Sequence, residues 1–223
     1  MLPILNPKLR MKQVVLLNGP PRSGKDTVAH IICSTAAHGP WVHDKFAVEL
    51  KERCHAAYRL YDSRSGLPVH HNYFEKQKDV PLQLFEGLTP RRAYIEFYEK
   101  WVAPVCGKDA LGRWLVERVG YFMFQQEKNL PAAKRNCAMV ISDAGTPEAV
   151  QKVVDRFGTD ACTLINIERD GCTFEGDSRK KFEIPGIRTC TLRNPGDTVE
   201  SLLAAVRAAA PHLYIEIATQ LPA

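Results

Sequence analysis

The chain has 223 residues, 45% hydrophobic and 25% charged, with a formal net charge of +5 at pH 7. That suits one soluble globular domain able to bury a full core without disulfides or metal, and the mild charge favours small anionic substrates. Without dense Lys/Arg blocks a nucleic-acid-binding tail is not expected, and without an apolar run of roughly 18 residues neither is a membrane span.

"QVVLLN", residues 13–18, is a short continuous apolar run ending in Gly-Pro-Pro, and it predicts a strand buried on both faces. After a Gly-rich bend, Val28, Ile31, Ile32 and Thr35 recur at helical spacing until Gly39-Pro40. A second amphipathic helix is expected from about Lys45 to Leu60. From Tyr61 to Asp79 the periodicity vanishes, as in a loop or mobile insertion. Thr89-Pro90 opens a helix with the stripe Tyr94, Phe97, Tyr98 and Trp101, and Asp109 is placed to cap another carrying Leu111, Trp114, Leu115, Val119 and Phe122.

"AMVISD", 138–143, predicts a second buried strand, followed by Thr146-Pro147 as N-cap and first turn of a helix through Phe157. "CTLINIE", 162–168, is a third strand, and a polar Gly-containing segment separates it from a fourth, "IRTCTL", 187–192. Asp197 and Glu200 form a capping box for a last helix, ended by Pro211. Alternating strands and helices predict an α/β fold: a mostly parallel sheet flanked by helices, one domain over about 12–210, with a helical insertion over about 50–125.

The chemistry is concentrated in "GPPRSGKDT". Strand, then G-x-x-x-x-G-K, then helix is the context in which backbone N–H groups wrap a polyphosphate at a helix N-terminus. Gly19, Pro20, Pro21, Arg22, Ser23, Gly24 and Lys25 form that cradle, with Lys25 in reach of the β- and γ-phosphates. Asp26 stands where Ser or Thr is usual. It can serve as a hard ligand for Mg²⁺, or it can favour the helix dipole while Thr27 or water serves the metal; the residues leave both open. Asp143, at a strand end, is a second candidate for Mg²⁺, with capping of the next turn as the alternative.

Arg91 and Arg92 oppose the dipole of the helix they open, a cost that a bound monophosphate would offset; two solvated arginines are the alternative. Arg169, Arg179, Lys180 and Lys181 are cations for a transferred phosphoryl group, or a solvated loop. Phe46, Tyr73, Phe74, Tyr94, Tyr98 and Trp101 could stack on a nucleobase, although helical spacing favours core packing for Tyr94, Tyr98 and Trp101. His70-His71 has no carboxylate or Cys at metal-like spacing. The seven cysteines lie singly, with no Cys-x-x-Cys pair, and read as core thiols of a reducing compartment. "MLPILNPKLR" makes a poor signal peptide, so a cytoplasmic location is expected.

"GPPRSGKDT", "FAVELK", "KDVPLQLFEGLTPRR", "VISDAG" and "LRNPGDTVESLLAAV", in that order, resemble the bacteriophage-type deoxynucleoside monophosphate kinases, P-loop enzymes related to the wider nucleoside monophosphate kinases and, in the GKD variant, to phosphomevalonate kinase. The resemblance spans about residues 12–207. It implies transfer of the ATP γ-phosphate, with Mg²⁺, to a deoxynucleoside 5′-monophosphate. Gly19 to Thr27 and Arg169 would hold ATP; Lys25, Arg22 and Arg179 would be catalytic; Asp26 and Asp143 would hold the metal. Phe46, Lys51, Tyr73, Arg91, Arg92, Trp101 and Arg113 would line the acceptor site, and residues 169–186 would act as a lid or adenine contact. It places the protein in the cytoplasm, of the host if phage-encoded, and leaves a homodimer open. The family often has an arginine where this chain has Gly145, so a cation must come from Arg22, Arg169 or Arg179. A kinase of a phosphomevalonate-like acceptor and a non-catalytic nucleotide-binding protein are the alternatives.

Overall fold

The computed structural model describes residues 11, 13–36, 41–129, 138–175, 179–196 and 198–214, with side chains in the long central helix described up to Met123. Five strands form one sheet in the order β2-β3-β1-β4-β5, all pairs parallel: β1 Gln13–Asn18, β2 Trp41–Asp44, β3 Ala138–Ile141, β4 Cys162–Glu168 and β5 Arg188–Arg193. The α/β expectation of a parallel sheet flanked by helices is borne out.

β1 is central because its four inner positions, Val14 to Leu17, are all apolar and fully buried, and their alternation feeds two cores. Val14 and Leu16 join Leu115, Val119, Val150 and Val153 from helices α5 (Ala110–Asn129) and α6 (Pro147–Phe157). Val15 and Leu17 point the other way, to Val28 and Ile32 of α1 (Lys25–Thr35) and Leu202 and Val206 of α7 (Val199–Ala209). A smaller core of Cys54, Phe74, Phe85 and Ala93 serves the insertion, where α2 (Ala47–Ala57) meets the 61–89 loop and α3 (Pro90–Phe97).

Three expectations are corrected. β2 was not foreseen: four half-buried residues, WVHD, lack the apolar run that marks a two-sided strand, and β2 pairs with β3 alone at the sheet edge. The stripe ending at Trp101 fails because residues Tyr98–Val102 form a π-turn between α3 and α4 (Ala103–Cys106). One extra residue per turn moves the inward position on by one, so Val102 is buried and Trp101 is 65% exposed. The last helix is capped by Thr198 with Ser201, each side chain bonding the other's backbone, and Glu200 takes no part; Asp197 lies outside the described residues. Thr89 caps α3 by accepting the Arg92 N–H, whereas Thr146 holds the cap position of α6 without a side-chain capping bond.

Cys54 and Cys162 are buried, which pushes both thiols up to about 12 and leaves them unreactive. Among the described residues no helix is long and apolar enough to cross a membrane.

α5 and α6 touch backbone to backbone at Gly112, where an added Cβ would stand 2.2 Å from the Ala149 carbonyl oxygen. Neither partner is a flexible side chain, so Gly112→Ala should push the helices apart and lower stability by about 1–3 kcal/mol in urea unfolding, as overpacking does.

Candidate phosphate-binding site

The bend between β1 and α1 is held by its carbonyl oxygens. Lys25 folds back so that Nζ donates to Gly19 O (2.8 Å) and Pro20 O (2.6 Å). Asn194, just beyond β5, donates from Nδ2 to Ser23 O (2.8 Å), and Arg169, just beyond β4, donates to Arg22 O (3.2 Å). Gly24 has φ +95°, and Arg22 also takes a left-handed conformation, with φ 63°. At Gly19 a Cβ would fall 2.8 Å from Ile167 O, so the bend lies directly against β4.

Asp26, in the first turn of α1, meets a cation already. Lys45 Nζ lies 2.9 and 3.0 Å from its two oxygens, and Ser142 Oγ donates to Oδ1 (2.7 Å). Burial would raise the Asp26 pKa, but these bonds hold it below the usual value. His43 Nε2 lies 2.7 Å from Ser142 Oγ. The serine proton is spent on Asp26, so His43 must donate, which fixes the Nε2–H tautomer. Burial depresses the His43 pKa, in keeping with a neutral ring.

Asp143 performs the capping role, at a different helix from the one foreseen. Its Oδ1 accepts the Phe46 N–H (2.7 Å) and Oδ2 the Ala47 N–H (3.0 Å), closing the N-terminus of α2. Burial pushes its pKa up, against those bonds and the charges of Lys45 and Arg179. Arg118, on α5, braces the same corner by donating to Asp44 Oδ1 and Lys45 O, both at 2.9 Å.

On the insertion, Arg91 grips Asp79 (2.6 Å from Nε), and the charge of Arg22 contributes to holding the Asp79 pKa down behind that of Arg91. The bend and the first turn of α3 thus share a field. The other acceptor candidates have separate attachments. Arg92 pairs with Glu96 and Lys51 with Glu75; Arg113 bonds Asp109 and the Cys106 carbonyl. Phe46 is buried in the core beneath α2, while Tyr73 is 68% exposed.

The segment after β4 returns over the sheet. Asn18 Nδ2 donates to Ala144 O and Lys180 O, and Asn166 Nδ2 to Phe182 O. Lys181 pairs with Glu168 (2.7 Å). Between this segment and the bend lies a cavity of about 240 Å³, lined in part by Pro20, Arg169, Phe174 and Lys181. A Cβ at Gly145 would lie 2.9 Å from Cδ and 3.1 Å from Cγ of Arg179, so the Arg179 stem fills the space that a side chain at 145 would need.

Sequence reasoning missed Lys45, His43, Ser142, Asp79, Arg118 and Asn194. Most act across large chain separations, so local spacing carries no trace of them. Asn194 alone had a local cue, standing before Pro195-Gly196 at a strand end.

No family model matches the chain, and no curated protein does. Among solved structures, a sugar kinase from Janibacter sp. HTCC2649, in its unliganded form, is 12% identical; the match covers 92% of this chain and 99% of that one, with a TM-score of 0.38. A gluconokinase from Sinorhizobium meliloti 1021 is 14% identical over 91% and 97% of the two chains, with a TM-score of 0.36. Superposition this loose does not bear on substrate.

Asp143→Asn would turn an NH₂ group toward one of the two α2 N–H donors, and should cost about 1–3 kcal/mol in chemical unfolding. Glu75 offers a pH test. Burial would raise its pKa, but Lys51 and Lys78 bring it from 4.5 to about 2. The folded value lies below the unfolded one, so the stabilisation is complete above pH 4.5 and is lost as pH falls toward 2. The difference in Tm between the wild type and Glu75→Gln should therefore close across that window.

Proposed function

We propose that this chain is a P-loop kinase that uses ATP and Mg²⁺ to phosphorylate a deoxynucleoside 5′-monophosphate to the diphosphate. The observation that carries the reading is the Gly19–Lys25 bend at the end of the central strand, opening the N-terminus of α1 and gripped through its carbonyls. A phosphate chain is bound by N–H groups and ammonium, so a bend fastened at its oxygens is suited to that ligand.

Lys25 would exchange its carbonyl contacts for the β- and γ-phosphate oxygens. Arg22, in the bend, carries a charge that Asp79 feels, and it would meet charge passing from donor to acceptor. A dianionic acceptor can compete with Asp79 for Arg91, which converts an exposed ion pair into a phosphate site. Arg179 would supply the cation that the resemblance expects at position 145. The acceptor phosphate has a second pKa near ~6, so at neutral pH it is mostly dianionic and needs no general base. Positioning and charge neutralisation are what remains for the protein.

Asp26 fits a Mg²⁺ role: it is an ionised oxygen ligand, part-exposed, with an ammonium already against it. Asp143 would add its charge, each of its oxygens already taking one N–H. When bound, Mg²⁺ would neutralise charge on the β- and γ-phosphate oxygens. Arg91, Arg92, Lys51 and Arg113 all have carboxylate partners, and the acceptor assignment rests chiefly on Arg91 because its partner Asp79 feels the charge of Arg22, with Tyr73 and Trp101 as exposed aromatic candidates for base contact.

A coupled assay with ATP, Mg²⁺ and each deoxynucleoside monophosphate tests the reading. Turnover is expected with at least one of them, and Lys25→Ala should reduce it by at least about a hundredfold with an unchanged circular dichroism spectrum. Activity confined to phosphomevalonate or another non-nucleotide acceptor would overturn the substrate. Tight ATP binding with no transfer to any acceptor would leave a nucleotide-binding protein without catalysis.

A further inference from the structure

We infer that Glu52, His70 and His71 form a binding site for a divalent transition metal of the zinc class, which clamps the 61–79 loop onto α2. The site shares no residue with the phosphate bend and does not rest on the kinase reading. Glu52 comes from α2, and the two histidines come from the loop, so the carboxylate that local spacing lacks arrives from 18 positions upstream. One ligand atom from each residue can be chosen so that all lie within 4.8 Å of one another.

Three features favour metal over coincidence. The first is ligand type: two imidazoles and one carboxylate suit Zn²⁺ and its neighbours, whereas Mg²⁺ and Ca²⁺ prefer oxygen throughout. The second is preparation. His71 Nδ1 already lies 3.2 Å from Glu52 Oε1, and the imidazoles of His70 and His71 lie 3.9 Å apart between centroids.

The third is anchorage on both sides of the histidines. Val69 N donates to Leu60 O, and Val69 O meets His55 Nδ1 at 2.8 Å. Tyr73 N donates to His70 O. The ligands are thus carried on a backbone that is already fixed, which lowers the ordering cost of binding. Lys51, the cation whose charge reaches His71, has its ammonium 2.7 Å from Glu75. The 3.3 Å contact from Asn72 N–H to His70 Nδ1 is long and costs little to give up.

Tetrahedral zinc with bonds of about 2.0–2.1 Å holds neighbouring ligands roughly 3.4 Å apart, so the three groups need only close in slightly. His70 is exposed, which gives the ion an entry path and leaves a fourth position to water. The consequence is mechanical: the loop, otherwise held by backbone turns and the small aromatic core, becomes tied to α2 at its middle.

The test uses the full chain, stripped with a chelator and titrated with Zn²⁺ by calorimetry and with Co²⁺ by visible absorption. One equivalent should bind, with the ligand-field bands of four-coordinate Co²⁺ and no thiolate charge-transfer band. His70→Ala, His71→Ala and Glu52→Gln should each weaken Zn²⁺ by more than about tenfold, a loss that even a supporting partner of a metal ligand can cause. Zn²⁺ should slow proteolysis within the loop in the wild type and not in His70→Ala, whose side chain is exposed and unneeded for folding. No binding, binding unchanged in all three variants, or a thiolate spectrum would each overturn the site.

Discussion

A bend suited to offering N–H groups to a phosphate chain has few of them left to hold itself, here Ser23 N–H to Pro20 O at 3.3 Å, so most of its fastening falls to its oxygens. This chain meets the constraint with cations and an amide drawn from three places: Lys25 within the bend, Arg169 after β4 and Asn194 after β5. All three start from the C-terminal ends of parallel strands, and only a parallel sheet brings those ends to one edge. The topology and the bend are therefore a single requirement. β1 has to be central, with β4 beside it, for Arg169 to reach Arg22.

The same edge shows how the carboxylates beside the candidate phosphate site are tied into the fold. Asp143 closes α2, and through α2 it sets where Phe46 and the insertion begin. Asp26 is matched by Lys45, whose backbone Arg118 holds in place. The buried charge of Asp143 is tolerated only with donors around it, and the more exposed Asp26 is likewise paired before any ligand arrives. Lys45, Phe46 and Ala47 follow the end of β2, which makes the short edge strand a main support for this acidic side.

Most of the sheet was legible because two-sided burial writes itself as a largely apolar run: QVVLLN, AMVI and CTLINIE each announce a strand. The strand-bend-helix order was legible because it is written locally, in Gly19 to Lys25, although Arg169 and Asn194, which fasten the bend, are far along the chain. What stayed hidden was non-local or one-sided. β2 is half-buried and contains His43 and Asp44, so no periodicity marks it. The π-turn at Tyr98–Val102 leaves no mark in side-chain chemistry, yet it exchanges Trp101 for Val102 in the core. The partners of Arg91 and His71 lie 12 and 19 residues away, distances at which spacing rules for helices and strands say nothing.

Gly145 carries the argument about substitution furthest. Read along the chain, it looks like a lost cation beside a strand-end aspartate. In three dimensions its missing side chain is the condition for another: Arg179 lays its methylenes over the glycine, and its charge reaches Asp143. Replacing Gly145 by any larger residue would evict that stem, so position 145 and position 179 cannot both carry bulk without a shift of the returning segment. That segment is itself fastened by Asn18 and Asn166, buried polar residues toward the C-terminal ends of β1 and β4. Arg179 thus places a cation on the limb that covers this strand end, and two buried asparagines fasten that limb.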